Sequence, residues 1–429
     1  MNEESGSRGA RLKAVAGTSR RIAVGMHDSS FILHPSSFLI QPHVVFAGGG
    51  TGGHLFPGLA VAERLAVDLP HVRITFVGSG RDFERRHVAA AGFDYLPLRC
   101  RPLPRRLRDV FPFVSHNLSG YRQAGRFLSG QRVSAVVGLG GYGSVPMGRA
   151  AIRRNVPLIL LEQNAVPGRA TRWLAPAATL VCTAFEQAHR YLSRRSVVRV
   201  TGNPIRPNFT RRLVALGVLA GSGHGDAPPA SHVKPSNGAN RSHLLLVLGG
   251  SSGARSLNQY VPLALRKVGA RLRRWTLVHQ SGPADLGPTR QLYAKLGLPA
   301  TVVPFIADMP RVLARTDLAV CRAGGTTLAE LAATAVPAIL LPYPYAADDH
   351  QRKNADVFTG SGGCLTLDER ELSGRLDDHL AGAVTLLAGD AAKRAAMSEA
   401  MRRLAQPDAT WDVATVVRQV AARRMKAEA

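Results

Sequence analysis

The residues with the clearest chemical potential form a glycine run that ends in a histidine, Gly48 to His54. A short apolar segment, His43–Ala47, precedes the run, and apolar residues at helical spacing follow it from Gly58 to Leu65. A strand, a glycine loop and a helix place unpaired backbone N–H groups at a helix N-terminus, where they attract phosphates. The alternative is a tight turn of the kind found in any α/β protein.

The same loop fits a second pattern, because Gly48, Gly50 and Gly53 match the G-x-G-x-x-G fingerprint of dinucleotide sites. That fingerprint requires an acidic residue at the end of the next strand to hold a ribose. Here the next predicted strand, Val72–Val77, is followed by Gly78, Ser79 and Gly80. A nicotinamide cofactor is therefore not favoured, and the residues that hold a ligand together with this loop must lie elsewhere in the chain.

Three further groups of polar residues follow predicted strands of the first half. The segment Gly138 to Pro146 is glycine-rich and contains Tyr142, so it forms either a packing turn or part of a shared cleft floor. Glu162 and Asn164 end another strand and would point into the crevice, unless Asn164 caps a helix. Arg206 would clamp a diphosphate with its fork of donors, or pair with a surface carboxylate at a hinge.

The most specific stretch lies in the second half, from Cys321 to Leu331. Backbone N–H groups of Gly324 to Thr327 would bind a diphosphate, and Glu330 would accept hydrogen bonds from ribose hydroxyls. The alternative is a capping box, because Thr327 and Glu330 have the spacing of that motif.

Two more features of the second half suit the same ligand. A second glycine loop, Gly249 to Gly253, follows an apolar strand. His350 and Gln351 stand at the start of a predicted helix, where imidazole and amide groups suit the hydroxyls of a sugar. A second capped helix is the alternative at that position.

The elements that must position these residues alternate along the chain. In the first half we predict strands at His43–Ala47, Val72–Val77, Val133–Val137, Leu158–Leu161, Thr179–Cys182 and Val198–Thr201. In the second half we predict strands at Leu244–Leu248, Thr276–His279, Thr301–Pro304, Leu318–Cys321 and Ala338–Leu341. The alternation predicts an α/β fold with two Rossmann-like, doubly wound parallel sheets. Ligands of such sheets bind at the carboxyl ends of the strands.

The composition along the chain predicts the domain limits. Residues 1–42 show no sustained period and no secretory signal pattern, and we expect a disordered or loosely attached tail. Residues 213–242 are rich in Gly, Pro and Ser, which is typical of a flexible linker. The domains would then span 43–212 and 243–407. A last helix, about 408–429, has an apolar stripe that would suit either half.

Composition also limits the function classes. The length of 429 residues favours two domains. The formal charge of +26 favours an anionic partner, which would be a phosphorylated substrate, nucleic acid or an anionic membrane surface. An arginine-rich surface of a biased genome is the alternative. The four cysteines are widely spaced, which predicts neither a zinc site nor a disulfide frame and favours a reduced cytoplasmic setting. No run of about 18 apolar residues is present, so we expect membrane contact to be peripheral.

In their order, these motifs are similar to those of the MurG family, N-acetylglucosaminyltransferases of peptidoglycan synthesis. The likeness runs from about His43 to Phe358. Its landmarks are Gly-Gly-Gly-Thr-Gly-Gly-His from 48, Gly-Gly-Tyr from 140, Glu-Gln-Asn from 162, Gly-Asn-Pro-Ile-Arg from 202, Gly-Gly-Ser from 249, Gly-Ala-Arg from 253, His-Gln-Ser-Gly from 279, Phe-Ile-Ala-Asp-Met from 305 and Arg-Ala-Gly from 322. The resemblance implies the GT-B fold, with two Rossmann-like domains facing across a cleft and a C-terminal helix that returns to the first. The sequence departs from the usual pattern at Gly325, where alanine is frequent, and at Ser252, where glutamine is common.

The resemblance implies a role for each matching residue. His54 would be a candidate general base, and Tyr142 and Glu162 would line the acceptor side. Ile306 would bond uracil through its backbone. The remaining residues that the resemblance implies around the donor and the acceptor diphosphate are Thr51, Gly52, Gly53, Asn164, Arg206, Ser251, Gly325, Thr326, Thr327, Leu328, Ala329, Glu330 and Gln351. No D-x-D motif is evident, so we expect no metal and no cofactor.

The function implied is an inverting transfer of GlcNAc from UDP-GlcNAc to the 4-hydroxyl of MurNAc in undecaprenyl-pyrophosphoryl-MurNAc-pentapeptide. The protein would act as a peripheral protein at the cytoplasmic face of the inner membrane, without nucleic acid. Two alternatives remain: an enzyme similar to UDP-GlcNAc 2-epimerase, which needs no lipid, and a basic, non-catalytic nucleic-acid-binding protein, which rests on charge alone.

The segment Leu98 to Phe113 is the predicted membrane contact, because it interleaves arginines with apolar residues. Its arginines would meet anionic headgroups, while Leu107, Val110, Phe111 and Phe113 would enter the interface. The alternative is a solvated loop whose apolar side chains fold back on the core.

Overall fold

The computed structural model describes residues 41–104, 106–218, 242–250, 253–372 and 374–428. Most of the predicted tail, most of the predicted linker and the expected ligand Ser251 lie outside the described residues.

The first half of the chain forms a parallel sheet of seven strands. They are β1 His43–Ala47, β2 Arg73–Gly78, β3 Asp94–Pro97, β4 Ala135–Gly138, β5 Leu158–Glu162, β6 Leu180–Thr183 and β7 Val198–Val200. Their order is β3-β2-β1-β4-β5-β6-β7, so β1 lies between β2 and β4. Every residue of β1 is buried, as expected for a central strand with helices on both faces.

Six α-helices lie between or directly after these strands in the described part of the chain. They are α1 Gly52–Asp68, α2 Asp82–Ala90, α3 Val110–Gly130, α4 Val145–Arg153, α5 Arg169–Leu174 and α6 Pro207–Ala215. The predicted linker was expected to begin at 213, but α6 continues to Ala215. The reason is packing, because Leu213 is fully buried in a core cluster that joins the two halves and includes Leu313 of the second.

The second half repeats the architecture with a parallel sheet of six strands. They are β8 His243–Leu248, β9 Trp275–Gln280, β10 Thr301–Val303, β11 Leu318–Cys321, β12 Ala338–Leu340 and β13 Cys364–Thr366. Their order is β10-β9-β8-β11-β12-β13. The helices are α7 Arg255–Val268, α8 Leu286–Lys295, α9 Met309–Arg315, α10 Gly325–Ala333, α11 His350–Gly360, α12 Leu376–Gly389, α13 Ala391–Arg403 and α14 Ala409–Glu428.

The predicted fold class is confirmed, since two doubly wound parallel sheets are present. The predicted strands all occur, with ends that differ by one or two residues. The strands β3 and β13 were not predicted from the sequence. Both lie at a sheet edge, where short and less apolar sequences suffice because only one neighbour is paired.

The last helix, which the apolar pattern alone could place on either half, packs on the first. Val413 and Val417 of α14 are fully buried in the same core as Val61 and Leu65 of α1. Among the helices of the described ranges, none has the length and apolar character that crossing a bilayer requires.

Candidate active site

A cavity of about 790 Å³ lies between the two sheets, at the carboxyl ends of their strands. Its size suits a small-molecule ligand, since such sites typically enclose about 300–1,000 Å³. The residues of its wall that were expected from the sequence are Thr51, Gly52, Gly53, His54, Asn164, Arg206, Ile306, Gly325, Thr326, Thr327, Glu330, His350 and Gln351. Both halves of the chain therefore contribute to one site.

The first glycine loop turns sharply between β1 and α1. Gly48, Gly49 and Gly50 all have positive φ angles, of 125°, 143° and 88°. A Cβ on Gly48 would lie 2.6 Å from the carbonyl oxygen of Gly140, so only glycine fits there. The loop after β4 thus packs directly against the loop after β1, and the two glycine segments form a common floor.

His54 lies in the first turn of α1, next to this floor. Its Nδ1 is 3.0 Å from the Thr51 hydroxyl oxygen. Its ring also packs beside Gly140, where a Cβ would lie 3.0 Å from the ring. Burial, and secondarily the charge of His350, lowers the pKa of His54 to about 4. The imidazole is therefore neutral at neutral pH, the form that accepts a proton.

Glu162 is the last residue of β5 and points away from the cavity. Its carboxylate accepts hydrogen bonds from the Asn164 N–H at 3.1 Å and from the Gly168 N–H at 2.9 Å. Burial raises the pKa of Glu162, and these hydrogen bonds oppose the rise. The residue braces the loop 162–168 and does not line the cavity, contrary to expectation.

Asn164 does line the cavity and does not cap a helix, because Gly168 is the N-cap of α5. Its Oδ1 accepts from Asn354 Nδ2 at 3.0 Å, and Asn354 Oδ1 accepts from the Ala165 N–H at 2.8 Å. Asn354 belongs to α11 of the second half. This amide pair, in which Asn354 is buried and Asn164 half-buried, joins the two halves at the cavity wall.

Tyr142 was expected on the acceptor side, and it lies outside the cavity wall. Its hydroxyl accepts from Arg81 Nη2 at 3.0 Å, while Arg81 Nη1 donates to the Gly50 carbonyl oxygen at 2.8 Å. Tyr142 is thus tied to the outer side of the first glycine loop through Arg81.

Arg206 lies over an aromatic ring, with its guanidinium carbon 4.6 Å from the centroid of Phe56. Within the described residues it forms no ion pair with a surface carboxylate, which was the alternative. Burial raises the pKa of Glu330, and the charge of Arg206 opposes part of that rise. Arg206 therefore links Phe56 of the first half with Glu330 of the second.

The capping-box interpretation of Glu330 is wrong, because the N-cap of α10 is Gly324 and makes no side-chain cap bond. Burial raises the pKa of Glu330 to about 7, against the lowering effect of Arg206. Two neighbours expected at the site behave differently. Leu328 is fully buried in the core of the second half, and Ala329 does not line the cavity.

The start of α10 touches the first half closely. A Cβ on Gly325 would lie 2.1 Å from the Gln163 carbonyl oxygen. The Thr326 hydroxyl donates to the Gly53 carbonyl oxygen at 3.2 Å. That carbonyl is available because Pro57, four residues further along α1, has no N–H to donate to it.

The turn before α11 presents His350 and Gln351. Gln351 Oε1 accepts from the Tyr343 N–H at 2.9 Å, and His350 Nδ1 lies 2.8 Å from the Ala347 carbonyl oxygen. The two preceding residues, Asp348 and Asp349, are left-handed, with φ angles of 51° and 54°. Arg172 of the first half pairs with Asp348, so the turn is held from across the cleft.

Ile306 was expected to bond uracil through its backbone, and one of its two backbone groups is already engaged. Its N–H donates to Gln280 Oε1 at 3.0 Å. The N–H is therefore engaged inside the protein, and the backbone carbonyl is the group left for a base.

Gln163, the second amide expected from the sequence at the end of β5, also lines the cavity. Sequence reasoning missed several other residues of the cavity wall: Phe56, Gln280, Phe305, Arg322, Tyr343, Tyr345 and Glu369. Arg322 pairs with Glu369, donates to the Ser256 hydroxyl at 2.6 Å and lies 5.6 Å from the Tyr343 ring centroid. Position after a predicted strand was the available signal for Gln280, Phe305 and Arg322.

Comparison with known proteins identifies the class. Residues 44–183 match the glycosyltransferase family 28 N-terminal domain, and residues 244–411 match the C-terminal domain of the same family. The crystal structure of Acinetobacter baumannii MurG is similar, with a TM-score of 0.67 and 29% identity over 88% of this chain and 99% of that one. The chain is therefore a glycosyltransferase with the GT-B fold.

Two relatives narrow the class to a family. A protein of Pelobacter propionicus is 40% identical over 81% of this chain and 91% of its own length. A protein of Halorhodospira halophila is 40% identical over 88% of this chain and 98% of its own. Both are named "UDP-N-acetylglucosamine--N-acetylmuramyl-(pentapeptide) pyrophosphoryl-undecaprenol N-acetylglucosamine transferase". The chain belongs to this family, the MurG family.

Proposed function

We propose that the protein transfers GlcNAc from UDP-GlcNAc to the 4-hydroxyl of MurNAc in a polyprenyl-pyrophosphoryl-MurNAc-pentapeptide, with inversion at the anomeric carbon. Membership of the family supports this reaction. The observation that carries it in this chain is the shared cavity, in which His54 of one half lies near the start of α10 and Glu330 of the other.

The donor belongs to the second half in this proposal. The N-terminus of α10 at Gly325 to Thr327 would receive the diphosphate, and Glu330 would accept hydrogen bonds from the ribose. His350 and Gln351 would contact the sugar hydroxyls, and Asn164 and Arg206 would close the site from the first half. The cavity wall contains all of these groups, which supports the assignment.

His54 is the proposed general base. It would take the proton of the acceptor hydroxyl as the oxygen attacks the anomeric carbon and UDP departs. A positioned base contributes about 10²- to 10⁴-fold to such a step. The neutral imidazole, with its Nδ1 directed to Thr51, leaves Nε2 as the proton acceptor.

Charge on the departing diphosphate would be stabilised by fixed dipoles. Backbone N–H groups at the start of α10 and of α7 face the cavity, and they need no reorganisation during the reaction. Arg206 adds a full positive charge. These groups would supply the electrostatic stabilisation without a metal or a cofactor.

The first half would bind the acceptor and the membrane. Leu107 is 92% and Phe111 80% exposed, and Val110, Val114 and Leu118 continue the same exposed face along α3. Leu98 is buried, so the fold-back alternative fits that residue but not this face. Arg99, Arg101, Arg106 and Arg108 are exposed around it. The pattern supports peripheral binding to the cytoplasmic face of an anionic inner membrane.

The proposed function is tested by measuring UDP release from UDP-GlcNAc with and without a polyprenyl-pyrophosphoryl-MurNAc-pentapeptide. We expect release that depends on the acceptor, together with a disaccharide-linked lipid product. Release without acceptor, accompanied by ManNAc formation, would indicate a 2-epimerase. No release and binding of nucleic acid would indicate the non-catalytic alternative.

A further inference from the structure

Gln280 connects two loops of the cavity that follow different strands. It is the last residue of β9, which lies between β8 and β10 in the second sheet. Its Nε2 donates to the Gly250 carbonyl oxygen at 3.0 Å, in the loop after β8. Its Oε1 accepts from the Ile306 N–H at 3.0 Å, in the loop after β10. One side-chain amide thus spans the space between the two loops.

The environment of Gln280 makes this connection rigid. The residue is only 3% exposed, although it lines the cavity. A flip of the amide would break both hydrogen bonds, because the donor and the acceptor would exchange places. The backbone adds a further link, since the Gln280 carbonyl oxygen accepts from the Gly249 N–H at 3.3 Å.

The two loops would hold different parts of a nucleotide. Gly249 and Gly250 precede the N-terminus of α7, which would share the diphosphate with the start of α10. Phe305 and Ile306 form a wall with one aromatic ring and one free backbone carbonyl, which suits a base. We propose that Gln280 is a positioning residue that fixes the spacing between the base subsite and the diphosphate subsite. This inference rests on the proposed function, since it assumes a nucleoside diphosphate ligand.

Fixed spacing has a consequence for recognition. A ligand that carries both a base and a diphosphate gains from both subsites only if they are held at the correct distance. Without Gln280 the two loops would move independently. A base bound at the loop after β10 would then no longer hold the loop after β8 at the distance that the diphosphate requires. The added affinity that the diphosphate gives over uridine alone should therefore depend on Gln280.

Two variants separate the halves of this connection. Gln280→Leu keeps much of the volume and removes both hydrogen bonds. Gln280→Glu keeps an acceptor for the Ile306 N–H and removes the donor to Gly250. His279→Gln is the matched control. His279 is fully buried next to Gln280, but its ring contacts Asn258 of α7 and Tyr293 of α8 and neither of the two loops that Gln280 connects.

The test is calorimetric titration of the full chain with uridine, UMP and UDP. For Gln280→Leu we expect the UDP affinity and the ratio of UDP to uridine affinity to fall about tenfold, the loss expected for about one net hydrogen bond. For Gln280→Glu we expect the same fall in the ratio, with uridine affinity within about twofold. The control should bind all three ligands within about twofold of the wild type, despite a lower melting temperature.

Several outcomes would overturn the inference. Unchanged UDP affinity in Gln280→Leu, or an equal loss for uridine, UMP and UDP, would show that Gln280 does not couple the subsites. An equal loss of UDP affinity in the control would reduce Gln280 to a structural role. If the wild-type chain binds no UDP, the proposed function fails first. If the wild type binds UDP and both Gln280 variants match it, only this inference fails.

Discussion

Two acidic residues near the cavity, Glu162 and Glu330, illustrate how surroundings decide the role of a side chain. Burial raises the pKa of both carboxyl groups. Glu162 is surrounded by N–H donors of its own loop, so its hydrogen-bonding capacity is used inside the protein. Glu330 faces the cavity with only the charge of Arg206 acting on it in the described structure. A carboxylate without internal donors is the one available to a ligand.

Replacing Glu330 by Ala should raise the KM for UDP-GlcNAc by at least tenfold, because ribose hydroxyls lose a charged acceptor worth about 1.5–3 kcal/mol. Initial-rate kinetics at saturating acceptor measure this effect. Glu399→Gln, on the surface of α13, is the control. An unchanged KM with a lowered melting temperature would exclude the ribose role.

The pKa of about 7 adds a pH dependence to the Glu330 assignment. Hydroxyls bind the ionised form, so the KM for UDP-GlcNAc should decrease as pH rises from about 6 to 8 in the wild type and stay flat in Glu330→Gln. The folded pKa lies above the unfolded one, so this group favours folding at low pH, and that contribution is lost as pH rises through 7. Tighter binding at high pH would therefore not reflect a stability gain from this group.

Replacing His54 by Ala should lower kcat by about 10²-fold or more and leave the donor KM within a few-fold, because a base acts mainly in the transition state. His71→Ala, an exposed histidine after α1, serves as the control. Steady-state kinetics with both substrates varied separate the two parameters. A near-normal kcat would leave His54 as a loop residue only.

At the scale of elements, α3 has one face that is buried in the first half and one apolar face that is exposed. Ala124 and Leu128 are buried in a core shared with the strands of the first sheet, and Gly120 packs against the backbone of Arg99. The exposed face begins in the 3₁₀ turn Leu107–Asp109 and continues on α3. An exposed apolar face rimmed by arginines is unusual for a surface that meets only water. The segment follows the carboxyl end of β3. The carboxyl ends of the parallel strands also face the cavity, so a bilayer that contacts this segment would lie on the same side of the sheet as the site.

Replacing Leu107, Phe111 and Val114 by Ser should reduce sedimentation with anionic vesicles and slow the reaction with the natural polyprenyl acceptor. A short-chain soluble acceptor should be used nearly as before, because the catalytic groups are untouched. The control replaces three exposed apolar residues elsewhere, Val67, Val214 and Leu386, by Ser. Equal loss with both acceptors, or unchanged vesicle binding, would exclude this face as the membrane contact.

At the scale of the whole molecule, the two halves meet through backbone contacts beside the site. Gly325 allows α10 to approach the Gln163 carbonyl oxygen more closely than any side chain permits. Thr326 then reaches Gly53, and Asn354 reaches Ala165. This degree of closure therefore depends on the absence of a side chain at position 325.

Replacing Gly325 by Ala should force the halves apart, because its Cβ would lie 2.1 Å from a backbone oxygen. The hydrogen bond from the Ala165 N–H to Asn354 would weaken, and hydrogen exchange at that amide should become at least several-fold faster. Gly287→Ala is the matched control, since a Cβ there meets no atom within 4 Å. Unchanged exchange at Ala165 would mean that the interface absorbs the methyl group without opening.

The sequence by itself determined the alternation of strands and helices, the glycine loops after β1 and β8, and many of the residues that line the cavity. These features are local. A buried parallel strand needs a continuous apolar run, a phosphate loop needs glycine before a helix, and strand ends meet at one edge of a sheet. The family could be identified from the same motifs, because their order along the chain is itself specific.

Only the tertiary structure decided which strand-end side chains face the cavity. Glu162 turns inward because the loop 162–168 supplies its donors, and Gln280 reaches two loops because β9 lies between β8 and β10. The placement of α14 on the first half also depends on long-range packing. An apolar stripe predicts that a helix will be buried against something. Which half of the chain it packs on depends on the fit between its surface and surfaces that are distant in sequence.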